Sequence, residues 1–102
     1  MLQNQIAVVL DQHGITFRRE VSIASRCRVD FMLLDGVVLE VKCGLTKPNR
    51  TRVVEQLRRY AQFDEVSGIL LIVDRNLNGI PNQISGKPCQ VMPLHKQWGL
   101  TI

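Results

Sequence analysis

The stretch Arg28-Val29-Asp30-Phe31-Met32-Leu33-Leu34-Asp35-Gly36-Val37-Val38-Leu39-Glu40-Val41-Lys42 decides how this chain is read. Two runs that are almost wholly apolar flank Asp35-Gly36, a dipeptide suited to the left-handed backbone of a tight hairpin turn. Three charged residues, Asp30, Glu40 and Lys42, interrupt those runs. A charge inside a buried strand is costly unless something pairs with it. A divalent metal carrying a phosphate is the most economical partner for all three.

Alternation sets the geometry. Glu40 and Lys42 stand two apart and share a face with Val38, while Val37, Leu39 and Val41 point the other way, towards a core. A strict two-residue loop at Asp35-Gly36 pairs Leu34 with Val37 and puts Asp30 opposite Val41, on the wrong face. Bringing Asp30 beside Glu40 requires a three-residue loop or a bulge, with Gly36 as its left-handed residue. That irregularity is the structural consequence of the reading.

With 102 residues, 45% of them hydrophobic, the chain is long enough for one domain with one modest core. No apolar run approaches membrane-spanning length, and Leu2-Gln3-Asn4-Gln5 lacks the basic start of a secretory signal. Cys27, Cys43 and Cys89 are odd in number and form no Cys-x-x-Cys pair, which argues against a disulfide framework or a zinc site. The expectation is a reduced, cytoplasmic protein. Cys43 reads as a small buried residue.

Thirteen Lys and Arg stand against nine Asp and Glu, a formal net charge of +4. Their distribution says more than the total. Arg18, Arg19, Arg26 and Arg28 crowd the approach to Asp30, and Lys47, Arg50, Arg52, Arg58 and Arg59 follow Lys42. Cations on both sides of an acidic hairpin suit a polyanion laid across it.

Outside the hairpin, Leu2, Ile6, Val9 and Leu10 keep helical spacing up to a Gly14 cap. Ile15, Phe17, Val21 and Ile23 alternate with Thr16, Arg18, Glu20 and Ser22 as a half-exposed strand, and Ala24-Ser25 turns into the hairpin. Residues 43–49 read as a loop. Thr51 caps a second helix whose apolar positions run from Val53 to Val66 and which stops at Gly68. Ile69-Leu70-Leu71-Ile72-Val73 is a strand buried on both faces. Asn78-Gly79 marks a turn, Cys89-Gln90-Val91-Met92 a short edge strand, and Trp98 an anchor for the terminal segment. The expected order is one α/β domain over 1–102: a helix, three strands, a helix and a strand within a core of about 2–74, then an irregular tail over 75–102.

Asp30, followed ten residues later by Glu40-Val41-Lys42 within that element order, resembles the PD-(D/E)XK nuclease superfamily. Gln56-Leu57-Arg58-Arg59-Tyr60 on the second helix is similar to the Gln-x-x-x-Tyr motif of its RecB-like branch. The small size looks more like junction resolvases and stand-alone VRR-type nucleases. The chain departs from the pattern at two places. Val29-Asp30 stands where the proline-aspartate pair gives the superfamily its name. Gln3, Asn4 and Gln5 stand on the first helix, where many members carry a glutamate; Glu20 is the available substitute.

The resemblance implies a restriction-endonuclease-like core with a mixed sheet flanked by helices, acting as a metal-dependent endonuclease on DNA, branched or structured DNA above all. It implies Mg²⁺, replaceable by Mn²⁺, held by Asp30, Glu40 and the main-chain carbonyl of Val41, with Lys42 as catalytic lysine. Gln56, Tyr60 and Glu20 would be auxiliary residues, and Arg26, Arg28, Lys47, Arg50, Arg52, Arg58 and Arg59 would contact nucleic acid. A homodimer is the implied assembly. An RecB-like exonuclease domain and a catalytically inactive DNA-binding or interaction module are the alternatives.

Overall fold

The computed structural model describes residues 2–43, 47–74 and 79–93, and among these the side chains of all but residues 2 and 47–49. Helix α1 (Leu2–Gln12) buries Ile6 and Leu10, one turn apart. It ends as its sequence predicts. Gly14 adopts φ 68°, its N–H donates to the Asp11 carbonyl (3.0 Å), and the Ile15 N–H donates to the Leu10 carbonyl (2.9 Å). Those two bonds satisfy carbonyls that the helix end would otherwise leave without donors.

Five of the six strands follow from the same patterning as β1 (Phe17–Ala24), β2 (Cys27–Leu33), β3 (Val37–Lys42), β4 (Gly68–Val73) and β6 (Lys87–Pro93), with the two-residue β5 (Gln83–Ile84) between the last pair. Helix α2 (Lys47–Ala61) connects β3 to β4. The sheet order is β1-β2-β3-β4-β6-β5. β1, β2 and β3 pair antiparallel, β3, β4 and β6 pair parallel, and β5 returns antiparallel on β6. The chain is thus α/β with a mixed, open sheet and two helices. No helix among the described residues is long and apolar enough to cross a membrane.

The helices cover opposite faces. Val38 on β3 and Ile69, Leu71 and Val73 on β4 join Val53, Leu57, Tyr60 and Ala61 of α2 in one cluster. Leu39 on β3 and Ile72 on β4 join Ile6 and Leu10 of α1, with Val37 and Val41 beside them. Val38, Glu40 and Lys42 therefore lie on the α2 side of β3, as alternation requires, and β4 is buried on both faces.

Several boundaries differ from expectation. α2 begins at Lys47, so Thr51 lies inside it and residues 47–49 are helix, not loop; Pro48 in a first turn gives up only an N–H that has no helical acceptor there. The helix stops at Ala61, closed by bonds spanning three residues from the Gln62 and Phe63 N–H groups to the Arg59 and Tyr60 carbonyls (3.4 and 3.2 Å). Val66 reaches the core from the following loop, and Gly68 opens β4. The alternation of β1 breaks at Glu20, whose φ is 51°. Phe17 consequently packs on the α1 cluster while Val21 and Ile23 pack on the α2 cluster, and Ile15 stays outside the strand, exposed. The turn between β1 and β2 falls at Ser25-Arg26, between the paired Ala24 and Cys27.

The tail is the largest correction. Residues 83–93 are part of the sheet, and β6 is an inner strand between β4 and β5. The expectation of a short edge strand over 89–92 is thereby corrected, and the strand tolerates its prolines because Pro88 precedes the first residue paired with β4 and Pro93 is the last. Ser85 and Gly86, at φ 52° and 78°, form the two-residue turn that joins β5 to β6. Asn78 and Trp98 lie outside the described residues.

The organising hairpin has the expected irregularity. Phe31 pairs with Leu39 and Met32 with Val38, so Asp30 falls opposite Glu40 and three residues, 34–36, make the loop. The Gly36 N–H donates to the Leu33 carbonyl (3.0 Å), and Gly36 takes φ 90°. The Ser67 N–H donates to the Gly36 carbonyl and the Ser67 hydroxyl to the Asp35 carbonyl, clamping the loop to the start of β4. A Cβ at Gly36 would stand 2.5 Å from the Glu65 carbonyl oxygen as well as in a disfavoured backbone region. Gly36→Ala is therefore expected to cost about 2 kcal/mol or more, read as a lower urea midpoint at unchanged slope.

Candidate active site

At Asp30 and Glu40 the two antiparallel strands exchange side chains for backbone acceptors. The Asp30 N–H donates to Glu40 Oε1 at 2.8 Å, and the Val41 N–H donates to Asp30 Oδ2 at 2.9 Å. Each carboxylate is thereby tied to the opposite strand by a charge-assisted bond, the stronger class of protein hydrogen bond. The exchange holds both acids side by side at the point where the β2–β3 pairing stops. Lys42 Nζ lies 3.9 Å from Glu40 Oε2, with 29% of its side chain exposed against 3% for Glu40. Asp30, Glu40 and Lys42 thus meet, as their spacing predicts.

The electrostatics of the trio are unbalanced. Burial pushes the Glu40 carboxyl up from its ordinary value of 4.5 to about 7, and the neighbouring Asp30 charge pushes the same way. The Asp30 N–H and the Lys42 ammonium pull it back only in part. Two adjacent acids and one lysine leave the ionised site short of positive charge. Hard carboxylate oxygens held close together in that condition fit a small divalent cation, which Mg²⁺ sites commonly hold with one or two carboxylates and water. Among the described residues no three His, Cys, Asp or Glu side chains converge as a ready-made metal cage. Glu20 stands opposite Asp30 by strand register but is exposed, so it does not complete one.

Tyr60 forms the floor beside the acids. It is 2% exposed, its hydroxyl donates to the Arg28 carbonyl (2.9 Å), and Gln56 Nε2 donates to that hydroxyl (2.7 Å). Burial, and then the charge of Glu40, hold the phenol above its ordinary range. Gln56 and Tyr60 therefore tie α2 to β2 immediately before Asp30. Cys43, expected to be buried, is exposed at the end of β3.

The basic residues separate into groups that the sequence does not distinguish. Arg26, Arg28 and Arg59 line one cleft with Ser22, Gln56 and Tyr60. Arg52 and Arg58 project from the solvent side of α2, and the Arg50 guanidinium lies against Gly79. Arg19 stacks over Phe31 and bonds Asn4, on the α1 side. The Lys47 side chain lies outside the described residues. Ser22 was missed as a lining residue. The signal for it was the short Ser25-Arg26 turn, which brings the ends of β1 and β2 together.

Set against known proteins, the chain matches no family model, no curated protein and no solved structure.

The Glu40 shift makes a pH prediction. The folded chain holds this proton more tightly than the unfolded chain, so its contribution to stability is complete below about pH 4.5 and is lost as pH rises through about 7. The loss is on the order of 3 kcal/mol. Urea unfolding without divalent cations should show it in the wild type. Glu40→Gln, which keeps an acceptor for the Asp30 N–H, should flatten the profile, and Asp30→Asn should move the fall to lower pH. A wild-type profile as flat as that of Glu40→Gln would mean the acid is not held as described.

Proposed function

We propose that the chain is a metal-dependent deoxyribonuclease of the PD-(D/E)XK type, cutting phosphodiester bonds in branched or structured DNA. The observation that carries this reading is the reciprocal Asp30–Glu40 pair with Lys42 on the same side of β3. The element order from α1 to β4, with antiparallel strands leading into a parallel pair, supports the reading of a restriction-endonuclease-like core.

Asp30 and Glu40 would hold Mg²⁺, with the Val41 carbonyl as a further oxygen donor. When bound, the ion supplies a water of lowered pKa and neutralises charge on the phosphate. The chain's own residues do the rest. The backbone N–H groups of Asp30 and Val41 fix the two carboxylates, so no side-chain freedom is lost when a ligand arrives. Lys42, partly exposed beside them, keeps its Nζ protons available to a phosphate oxygen. Tyr60 and Gln56 hold β2 against α2 and so keep Asp30 in place. Arginines on the same side attract the polyanion. A single small chain offers one site and little surface for a junction, and paired cuts need two sites, so the assembly proposed is a homodimer.

A second reading is favoured by one observation: the backbone bonds of the two carboxylates already account for them as strand-end acceptors. On that reading the chain is a non-catalytic nucleic-acid-binding module. Cleavage of a labelled four-way junction, a linear duplex and a single strand in Mg²⁺ separates the two. The nuclease reading expects cutting that is best on the junction, abolished by Glu40→Gln at nearly unchanged DNA affinity, and slowed about 10²-fold or more by Lys42→Met. DNA binding with no cutting, equal in Mg²⁺ and in chelator, would establish the non-catalytic module.

A further inference from the structure

The cleft beside the carboxylate pair carries a more specific assignment. It has a volume of about 400 Å³ and is lined by Ser22, Arg26, Cys27, Arg28, Gln56, Arg59 and Tyr60. Arginines from three separate pieces of chain line it, the β1–β2 turn, β2 and α2, with the Arg28 main chain in its wall through the carbonyl that Tyr60 bonds. No Asp or Glu is among the described residues that line it. Cations bordering a cleft without a carboxylate in its lining favour an approaching anion. Planar, forked donors match the oxygens of a phosphate, and a hydroxyl and an amide complete the set.

Arg26 adds an independent observation. It occupies the second position of the Ser25-Arg26 turn at φ 60°, a left-handed backbone that glycine adopts freely and arginine does not. Elsewhere in the chain the left-handed backbone is taken by glycine at Gly36 and Gly86 and by Glu20 and Ser85. A long cationic side chain at this turn, bordering the cleft, adds positive charge to its rim. The cleft also adjoins the acids. Tyr60 is common to both, its hydroxyl bonded to the Arg28 carbonyl, and about 7 Å of strand separates Arg28 from Asp30.

We infer that Arg26 and Arg59, flanking the Arg28 main chain, form a phosphate-binding subsite that grips the nucleic acid next to the bond presented to Asp30 and Glu40. The assignment rests on the nuclease reading for its ligand. The phosphate comes either from an internal phosphodiester or from a strand terminus, and both offer the same oxygens to the arginines.

The test is binding of short fluorescein-labelled single strands bearing a phosphate or a hydroxyl at the 5′ end, measured in EDTA. All three arginines are exposed, so their glutamine variants are expected to melt like the wild type. Arg26→Gln and Arg59→Gln should each weaken binding about tenfold or more, whereas Arg18→Gln, an equal loss of charge outside the cleft, should weaken it about twofold. Arg26→Lys should recover only part of the loss, because the forked geometry is gone. A wild-type preference for the 5′-phosphate that vanishes in Arg26→Gln assigns the cleft to a terminal phosphate. Equal weakening on both strands assigns it to an internal one. Arg26→Gln and Arg59→Gln variants that bind both strands as well as Arg18→Gln does would overturn the subsite. Because the assay contains no metal, a chain that binds in this way but never cuts keeps the subsite and loses the nuclease reading. A chain that cuts while its cleft variants bind normally does the reverse.

Discussion

Two strand N–H groups that take carboxylates as acceptors in place of backbone carbonyls are the constraint on which the rest of this structure depends. Asp30 and Glu40 stand opposite each other, and each acid serves the backbone of the other strand. The exchange requires register to the residue. A shift by one would carry Asp30 to the α1 face and leave two buried donors without partners. The three-residue loop at 34–36, the left-handed Gly36 and the Ser67 clamp all serve to keep that register.

The same exchange concentrates negative charge where the sheet is otherwise apolar. Glu40 is buried, Asp30 adds repulsion, and Lys42 is too distant and too solvated to neutralise both. Such an arrangement is inefficient as a structural device, since well-packed apolar residues at these positions would avoid the desolvation cost. The divalent cation and anionic substrate of the proposed function would offset that cost. The parallel strands β3 and β4, joined through α2, bring Tyr60 and the arginine cleft to the same end of the hairpin. Fold, charge and candidate chemistry thus share one edge of β2.

The legible part of the chain is the part where one local rule governs. Glu40 and Lys42 at strand spacing, Asp35-Gly36 as a turn, and Asp30 one three-residue loop earlier could all be read from residue order. So could the Gly14 cap and the doubly buried run 69–73. Legibility failed where tertiary context overrides the local signal. Glu20 carries no mark of a left-handed backbone, yet it reverses the facing of β1, because the strand must serve the α1 core at Phe17 and the α2 core at Val21. The short apolar run 89–92 gave no sign of being an inner strand, because its pairing with β4 and the return of β5 on its other side are long-range. The seven cations assigned to nucleic acid looked alike in sequence. Only folding shows that Arg26, Arg28 and Arg59 border one cleft while Arg50 packs on Gly79.

The most direct measurement on the central claim is calorimetric titration of the chain with Mn²⁺ in the absence of nucleic acid, alongside Asp30→Asn and Glu40→Gln. If the reciprocal carboxylates form a metal site, the wild type binds the ion and each substitution removes that binding, while circular dichroism shows the fold unchanged. A wild type that binds no ion, or binding that survives both substitutions, would contradict the account and leave the pair as a purely structural pairing of two strands.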